Sequence, residues 1–567
     1  MIVSARSNSL NTVEQQPIQV NFPSGKALEM PYGTRVIDLL DDEEFLPIKD
    51  RVVGGMVNNE SVSLTFKVEV NAAFRPITMD SDEGARIYRR SLCFLLTIAS
   101  ERLFPHRRLV IGHSLGDGYF YHFDGEEEVS SKDIEALKSA MKLLVKEDHL
   151  IIRKSLSYSD TLEYLKKAHR KSAVKLFLDR SDAKIPVYEC CEFRDISHGA
   201  LVQCTGVLGW FDIVSYRPGF LLRYPSVTEP ETIQPFKEHP VVFAIFQEYK
   251  RWGKIYGVSN AGELNSLVRN SEISSFIQVA EALHDRKIAK IADKIDERRE
   301  EIKIVLIAGP SSSGKTTFAK KLSVQLRVLG FSPLSISTDD YFLPRDLSPR
   351  DEHGNFDFET VDAIDIDLLN QHLAALLGGS EVELPKFNFK TGTTNPSGRT
   401  IKIDQRTILV MEGIHSLNDR LTHRIDRASK FHIYVSALTQ LNIDDHNRIP
   451  TTDVRLIRRM VRDYQFRGYT ALETIGRWPS VRSGEMKNIF PYEKNAEVAF
   501  NSSLDYELPV LKVYADSLLR TIKPFHEVYG EAVRISRFLA NFIAIPANFV
   551  PFYSLLREFI GDSGFRY

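Results

Sequence analysis

The chain has 567 residues, 43% hydrophobic and 26% charged, with a formal net charge of −2. That is apolar material for several cores, about four domains at ~150 residues each, and the near-neutral balance excludes a globally basic nucleic-acid binder while leaving room for local patches. The four cysteines, Cys93, Cys190, Cys191 and Cys204, form no CxxC pair, which argues against a zinc ribbon or a disulfide scaffold.

The stretch from Met1 to Gln19 is polar and lacks the apolar core of a signal peptide. No run of ~18 apolar residues occurs, so no membrane span is expected and a cytoplasmic location is. The most apolar late stretch, Phe538 to Leu556, is interrupted by Asn541, Pro546, Asn548 and Pro551 and reads as packed helix and turn.

From residue 18 to about 75, short strand-like runs (Ile18 to Phe22, Ser63 to Val68) flank a helical spacing over Arg35 to Leu40. This predicts a small α+β domain over 1–75. Residues 76–235 open with a helix-like stretch from Ala85 to Phe104, pass through the aromatic Gly116 to Phe123, and continue into an amphipathic helix over Lys132 to Lys146. Residues 236–300 read as a helical connector, with the charge-dense Asp285 to Glu301 as its solvated end. Strands and helices then alternate over 301–522, the pattern of a parallel sheet wrapped by helices, and a helical tail is expected over 523–567. The fold class is therefore multidomain: α+β in the first half, and α/β with a doubly wound parallel sheet in the second.

Ile302 to Ala308 is a near-continuous apolar run, as a buried parallel strand requires. It leads into Gly309-Pro310-Ser311-Ser312-Ser313-Gly314-Lys315-Thr316 and then a helix with Phe318, Leu322, Leu326 and Leu329 on one face, closed by Gly330. Strand, glycine-rich loop and helix in that order form a phosphate cradle. Backbone N–H groups curl around phosphate oxygens, and the helix N-terminus adds a favourable dipole. The predicted ATP site is Gly309, Ser311, Ser312, Ser313, Gly314, Lys315, Thr316 and Thr317. Lys315 reaches the β- and γ-phosphates, and the Thr316 hydroxyl ligates Mg²⁺.

A second strand, Leu334 to Ser337, delivers Asp339 and Asp340 at its C-terminal end, where ligands bind in doubly wound sheets. A carboxylate there can take the proton of an attacking hydroxyl. A third strand, Thr407 to Met411, ends in Glu412, placed to help hold Mg²⁺. Arg455, Arg458, Arg459, Arg462 and Arg467 lie on a probable helix at three- and four-residue spacing, suited to closing over phosphates; a solvated arginine-rich helix is the plain alternative.

Residues 302–515 resemble the uridine kinase and phosphoribulokinase family. The resemblance is carried in order by the phosphate loop, Asp339-Asp340-Tyr341-Phe342, Phe356 to Ala363, Pro385 to Phe389, Glu412-Gly413-Ile414 and the arginine segment. It implies that Asp339 is the general base for a sugar 5′-hydroxyl, that Lys315, Arg458 and Arg462 stabilise the transferring phosphoryl group, and that Glu412 joins Thr316 at Mg²⁺. It places Asp340, Tyr341, Glu359, Phe387, Phe389 and Arg455 on the acceptor side. Glu359 stands where an aspartate is usual, Phe387 where a tyrosine is, and Gly392 where a base-reading histidine is.

In the first half, 18–75 resembles the TGS domain and 76–225 the second additional domain of threonyl- and alanyl-tRNA synthetases, through Ile111-Gly112, Gly118 to Tyr121 and Phe193 to Gly199. That family's four metal-ligating positions fall on Arg90, Phe94, Ser197 and Leu201, none of them a good zinc ligand in this combination. The resemblance implies a retained fold put to regulatory, RNA-contacting or dimer-forming use. Altogether the sequence predicts an ATP- and Mg²⁺-dependent kinase of a nucleoside 5′-hydroxyl. The alternatives are a kinase of another small hydroxyl compound, such as a sugar phosphate, and a nucleotide-gated RNA-binding or regulatory protein.

Overall fold

The computed structural model describes residues 16–238, 240–350, 354, 356–388 and 391–566. Phe389, expected on the acceptor side, lies outside them.

The first sheet has five strands in the order Ala27–Met30, Ile18–Asn21, Ala72–Thr78, Val52–Val57 and Glu60–Val62. Val20, Val36, Leu39 and Phe74 close its core. Its third strand runs to Thr78 and so crosses the expected boundary at 75. The expected strand over Ser63 to Val68 is only Lys67–Val68, because Phe66 N–H donates back to Ser63 O at 2.9 Å and turns the chain.

Helix Asp82–Leu103 starts on a Ser81 cap that accepts from Gly84 N–H and buries Leu92, Leu95, Leu96 and Ala99 against a four-stranded antiparallel sheet. That sheet runs Asp212–Tyr216, Gly219–Arg223, Gly118–Phe123 and Leu109–Ser114. A three-stranded sheet, Ile152–Ser157, Lys184–Cys190 and Phe193–Asp195, stands beside it.

Three helices follow: Pro240–Tyr256, Ala261–Arg269 and Ile273–Asp296. The last was expected to be solvated over its charge-dense end. Instead Ile288, Ile291, Ala292 and Ile295 recur at three- and four-residue spacing and join the core of the second half, with Phe318, Leu322 and Leu326. The charges occupy the opposite face, as amphipathic helices arrange them.

The second half is built on a five-stranded, all-parallel sheet in the order Ser332–Ser337, Thr407–Glu412, Ile304–Ala308, Lys430–Ser436 and Val498–Asn501. The central strand, Ile304–Ala308, is buried at every residue, which its unbroken apolar run requires. The expected helical tail is mostly irregular. Beyond helix Tyr529–Leu539 the described residues hold only a 3-10 turn at Ala547–Phe549 and the short α-helix Arg557–Ile560, because Pro546 and Pro551 break the run. Its apolar side chains, Phe542, Ile545, Val550, Leu555 and Phe559, strap onto the same core. No helix of the described residues is long and apolar enough to cross a membrane.

Two arginines of helix Thr451–Phe466 are among the largest fully buried side chains. Arg458 Nε meets Glu507 Oε2 at 2.5 Å with the pair sealed from solvent, and Glu507 Oε1 accepts from Ser503 Oγ at 3.0 Å. Breaking such a pair leaves a buried charge uncompensated. Glu507→Gln is expected to cost about 3–5 kcal/mol, measured as a drop in the urea midpoint of the second half with the m-value unchanged.

Candidate active site

The parallel strands converge on one edge, and the loop at the end of Ile304–Ala308 shapes it. A Cβ on Gly309 would lie 2.0 Å from Val435 O, so no larger residue lets the loop pass the neighbouring strand. Gly314 has φ +84° and caps helix Lys315–Val328, whose first N–H groups it leaves pointing into the loop. Ser312 and Ser313 are buried with hydroxyls that find no partner among the described residues. Buried hydroxyls of this kind at the start of a helix suit an anionic phosphate. Lys315 Nζ lies over the loop, donating to Gly309 O at 3.0 Å and Pro310 O at 3.2 Å.

Glu412 ends the adjacent strand, and Thr316 Oγ1 donates to its Oε1 at 3.2 Å. These are paired hard oxygen donors of the kind Mg²⁺ takes. Among the described residues no cluster of three or more His, Cys, Asp or Glu could hold a metal by itself, so a cation here would draw its remaining ligands from a bound phosphate and water.

Asp339 follows strand Ser332–Ser337. A Cβ on Gly413 would fall 1.6 Å from Thr338 Oγ1; glycine there is what allows the ends of the two carboxylate-bearing strands to approach. Burial raises both carboxyls, Glu412 to about 7 with Asp339's charge adding to the rise, while Lys315, Arg467 and Arg462 oppose the rise at Asp339. Two acids, a lysine and two arginines thus share one field. Glu359 belongs to it as well. Burial pushes it up to about 7, against Arg459, with Lys315 and Asp339 also within electrostatic reach. It packs on the bare backbone of Gly484, where a Cβ would stand 2.4 Å from its own.

Several residues expected at the site sit elsewhere. Arg458 is sealed behind the loop on Glu507 and Ser502, with Nη1 3.4 Å from Ser312 O. Arg455 is clamped by both oxygens of buried Glu485 and donates to Ser311 O at 3.1 Å. Both guanidiniums hold the loop from outside, because helix 451–466 turns this face into the core. Arg462 stays nearer the cleft beside Asp463, joined by Arg459, which donates to Ser311 Oγ at 2.9 Å. Tyr341 and Phe387 are core residues: Tyr341 is buried with its hydroxyl 3.1 Å from His372 Nδ1, and Phe387 packs on Phe342. Asp340 faces the hairpin Val382–Asn388/Thr393–Ile401, taking a backbone hydrogen bond from Phe387, with Lys386 and Arg399 nearby.

Two acids that sequence reasoning missed meet the phosphate loop. Ser311 N–H donates to Glu485 Oε1 at 3.0 Å, and Thr317 donates to Glu558 Oε2 through its N–H at 3.0 Å and its hydroxyl at 2.7 Å. They lie 174 and 241 residues away along the chain, and no local motif marks either.

The synthetase-like half closes over its own degenerate positions. Arg90 donates to Ala200 O at 2.7 Å and lies against Gly199, Phe94 stacks edgewise on Phe193 at 5.2 Å, and Leu201 is fully buried. His198 is half-buried, its Nε2 atom is sealed from solvent with no partner among the described residues, and desolvation lowers it to about 3.

Comparison with known proteins divides the chain in the same way. Threonine–tRNA ligases of Desulforamulus reducens and Carboxydothermus hydrogenoformans are 31% and 30% identical over 199 residues, which is 35% of this chain and 31% of each ligase. The match falls in the N-terminal half; the chain spans about a third of the length of these relatives. A Bacillus stearothermophilus structure described as a possible uridine kinase is covered completely by 37% of this chain at 22% identity, with a TM-score of 0.25, a likeness too slight to argue from. Residues 304–508 match the Phosphoribulokinase / Uridine kinase family. With the phosphate loop and its facing carboxylates, that match makes the C-terminal half a P-loop kinase domain of the phosphoribulokinase and uridine kinase family.

Proposed function

We propose that the protein transfers the γ-phosphoryl group of ATP to the 5′-hydroxyl of a nucleoside. The observation that carries this reading is the convergence of Asp339, Glu412 and Lys315 at the mouth of the phosphate loop. Phosphoryl transfer leaves the protein mainly positioning and charge stabilisation to supply. Asp339, whose charged form burial disfavours and Lys315 and the arginines favour, accepts the proton of the attacking hydroxyl. Lys315, with Arg462, Arg459 and Arg467, balances charge on the transferring group. Thr316 and Glu412 would be the protein-side donors that hold Mg²⁺, which would supply charge neutralisation at the phosphates. Glu359 accepts hydrogen bonds from acceptor hydroxyls. Arg455 and Arg458 act indirectly, as positioning residues behind the loop.

A second reading within the kinases takes an anionic acceptor, such as a sugar phosphate. Gly392 offers no side chain where a base-reading group is usual, and the Arg345 side chain lies where its Cβ would project, 2.8 Å away. Lys386 and Arg399 add positive charge around Asp340.

Purified protein with Mg-ATP and a panel of nucleosides and sugar phosphates, read by mass spectrometry of the products, separates the two readings. Failure to phosphorylate any member defeats both. Asp339→Asn is expected to lower kcat by about 10²–10⁴-fold with little change in the KM for ATP; a near-normal rate removes Asp339 as the base. Gly413→Ala forces Thr338 and Asp339 away from Glu412, and a shift of ~1 Å is expected to cost about 10²-fold in kcat, measured alongside the melting temperature to separate misplacement from unfolding. Glu558 holds the N–H of Thr317 that a phosphate oxygen would use. Glu558→Gln is expected to lower the KM for ATP about two- to fivefold, the worth of ~0.3–1 kcal/mol at a helix N-terminus; a raised KM would mean that the carboxylate supports the loop rather than competes for it.

A further inference from the structure

A second cavity, of about 200 Å³, opens where the two halves and the connector helices meet. One wall is the hairpin Leu109–Ser114/Gly118–Phe123, contributing His113 and His122. The connector helices supply Phe246 and Val258. The segment between strand Lys430–Ser436 and the arginine helix supplies Thr439, Gln440, Leu441 and Arg448, with Asp505 alongside.

The walls are fixed to one another. Ile111 N–H donates to Asp445 O at 2.9 Å, Asn442 Nδ2 to Ile111 O at 2.7 Å, and Ala261 N–H to Asn442 O at 2.8 Å. Arg108 forks onto Asp445 at 2.6 and 2.8 Å. The cavity is therefore preformed, as ligand sites at domain junctions usually are.

Most charges around it are already used. Asp445 and Asp124 pair with Arg108, Glu263 accepts from Ser259, and Asp444 is spent on Asn447 and its own turn. Two charged groups are left over. Arg448 forms no ion pair or side-chain hydrogen bond among the described residues and merely lies over the Tyr119 ring at 5.1 Å. Asp505 has neither cation nor hydrogen-bond donor among them, and burial pushes it up to about 7, with Glu507 adding repulsion.

The neutral groups match. His113 is 6% exposed and Thr439 8%, yet His113 Nδ1 and Thr439 Oγ1 find no partner, nor does Gln440 Oε1. Buried polar atoms left unmatched are costly, a cost that a ligand with complementary groups removes. Burial holds His113 neutral, down at about 3, so it adds no charge. Phe246, Leu441 and Ile449 supply an apolar patch.

We propose that this junction cavity binds a small zwitterion, a free α-amino acid, whose carboxylate is recognised by Arg448 and whose ammonium group is recognised by Asp505 with the oxygens of Thr439 and Gln440. One unpaired guanidinium and one unpaired carboxyl in a single cavity of this volume call for both charges on one small molecule. A nucleotide would bring several negative charges to a wall with one spare cation, and a simple amine or carboxylate would leave one of the two charged groups unmatched.

The site is separate from the phosphate loop, so its test does not depend on the kinase reading. The full-length protein is titrated by calorimetry with each of the twenty common L-amino acids, and any that bind are compared with analogues lacking either the amine or the carboxylate. At least one amino acid is expected to bind, and removal of either charged group to weaken it at least about tenfold. Arg448→Met and Asp505→Asn are each expected to weaken binding by a similar factor, whereas Lys315→Ala leaves it intact. Thr439→Val, nearly isosteric, gives a milder loss and serves if a charge variant melts below the assay temperature. No binding at millimolar concentration overturns the proposal, as does equal binding by the monofunctional analogues or by the charge variants.

Discussion

Two buried guanidiniums govern the working edge of this protein. Arg455 and Arg458 sit one helical turn apart, each matched to a buried carboxylate, Glu485 and Glu507, and each sends a further N–H to a carbonyl of the phosphate loop. Desolvating four charges is expensive, and the pairs repay it only through near-complete hydrogen bonding. Here that requirement fixes geometry. Satisfying the guanidiniums ties the loop to helices 451–466, 471–488 and 507–519, so the cradle is held by groups it could not recruit locally. The loop can then leave the Ser312 and Ser313 hydroxyls without an acceptor or donor among the described residues.

Much of this was legible in the sequence, and the reason is local. The strand, loop and helix over 302–328 announce themselves because glycine spacing, apolar run and helical period are short-range signals. Asp339 and Glu412 were legible for the same reason, each following a strand end. For the arginines the helix was legible and the inward face was not. Their spacing identified the helix, but which face turns inward is decided by Glu485 and Glu507, which the spacing does not contain. Tyr341 and Phe387 were misplaced because an aromatic beside a site and an aromatic under it have the same local sequence. The tail was expected to be helical over 523–567 with its apolar stretch as packed helix and turn; the breaks at Pro546 and Pro551 were legible, but not that the segment between them is a strap whose side chains fill a core built elsewhere.

The carboxylates on the phosphate loop show how one set of donors serves two purposes. Thr317 N–H and hydroxyl hold Glu558, and Ser311 N–H holds Glu485. An N–H at a helix start needs an acceptor, and a carboxylate is the protein's nearest equivalent to a phosphate oxygen. Glu485 is already neutralised by Arg455 and Arg482, so it behaves as a fixed part of the wall. Glu558 rides on a short helical turn at the end of the strap and has no ion-pair partner among the described residues.

The connector helix Ile273–Asp296 has a further consequence for how the chain is assembled. Its inner face lies in the same apolar core as the phosphate-loop helix, and the strap from the far end of the chain closes over that core. Meanwhile Asn59 and Glu60, in the first small domain, meet Pro524 and Arg537 beyond the kinase domain. The first small domain therefore touches the segment that follows the parallel-sheet domain. A nick near residue 300 would not release an independent second half, since the severed helix would stay embedded.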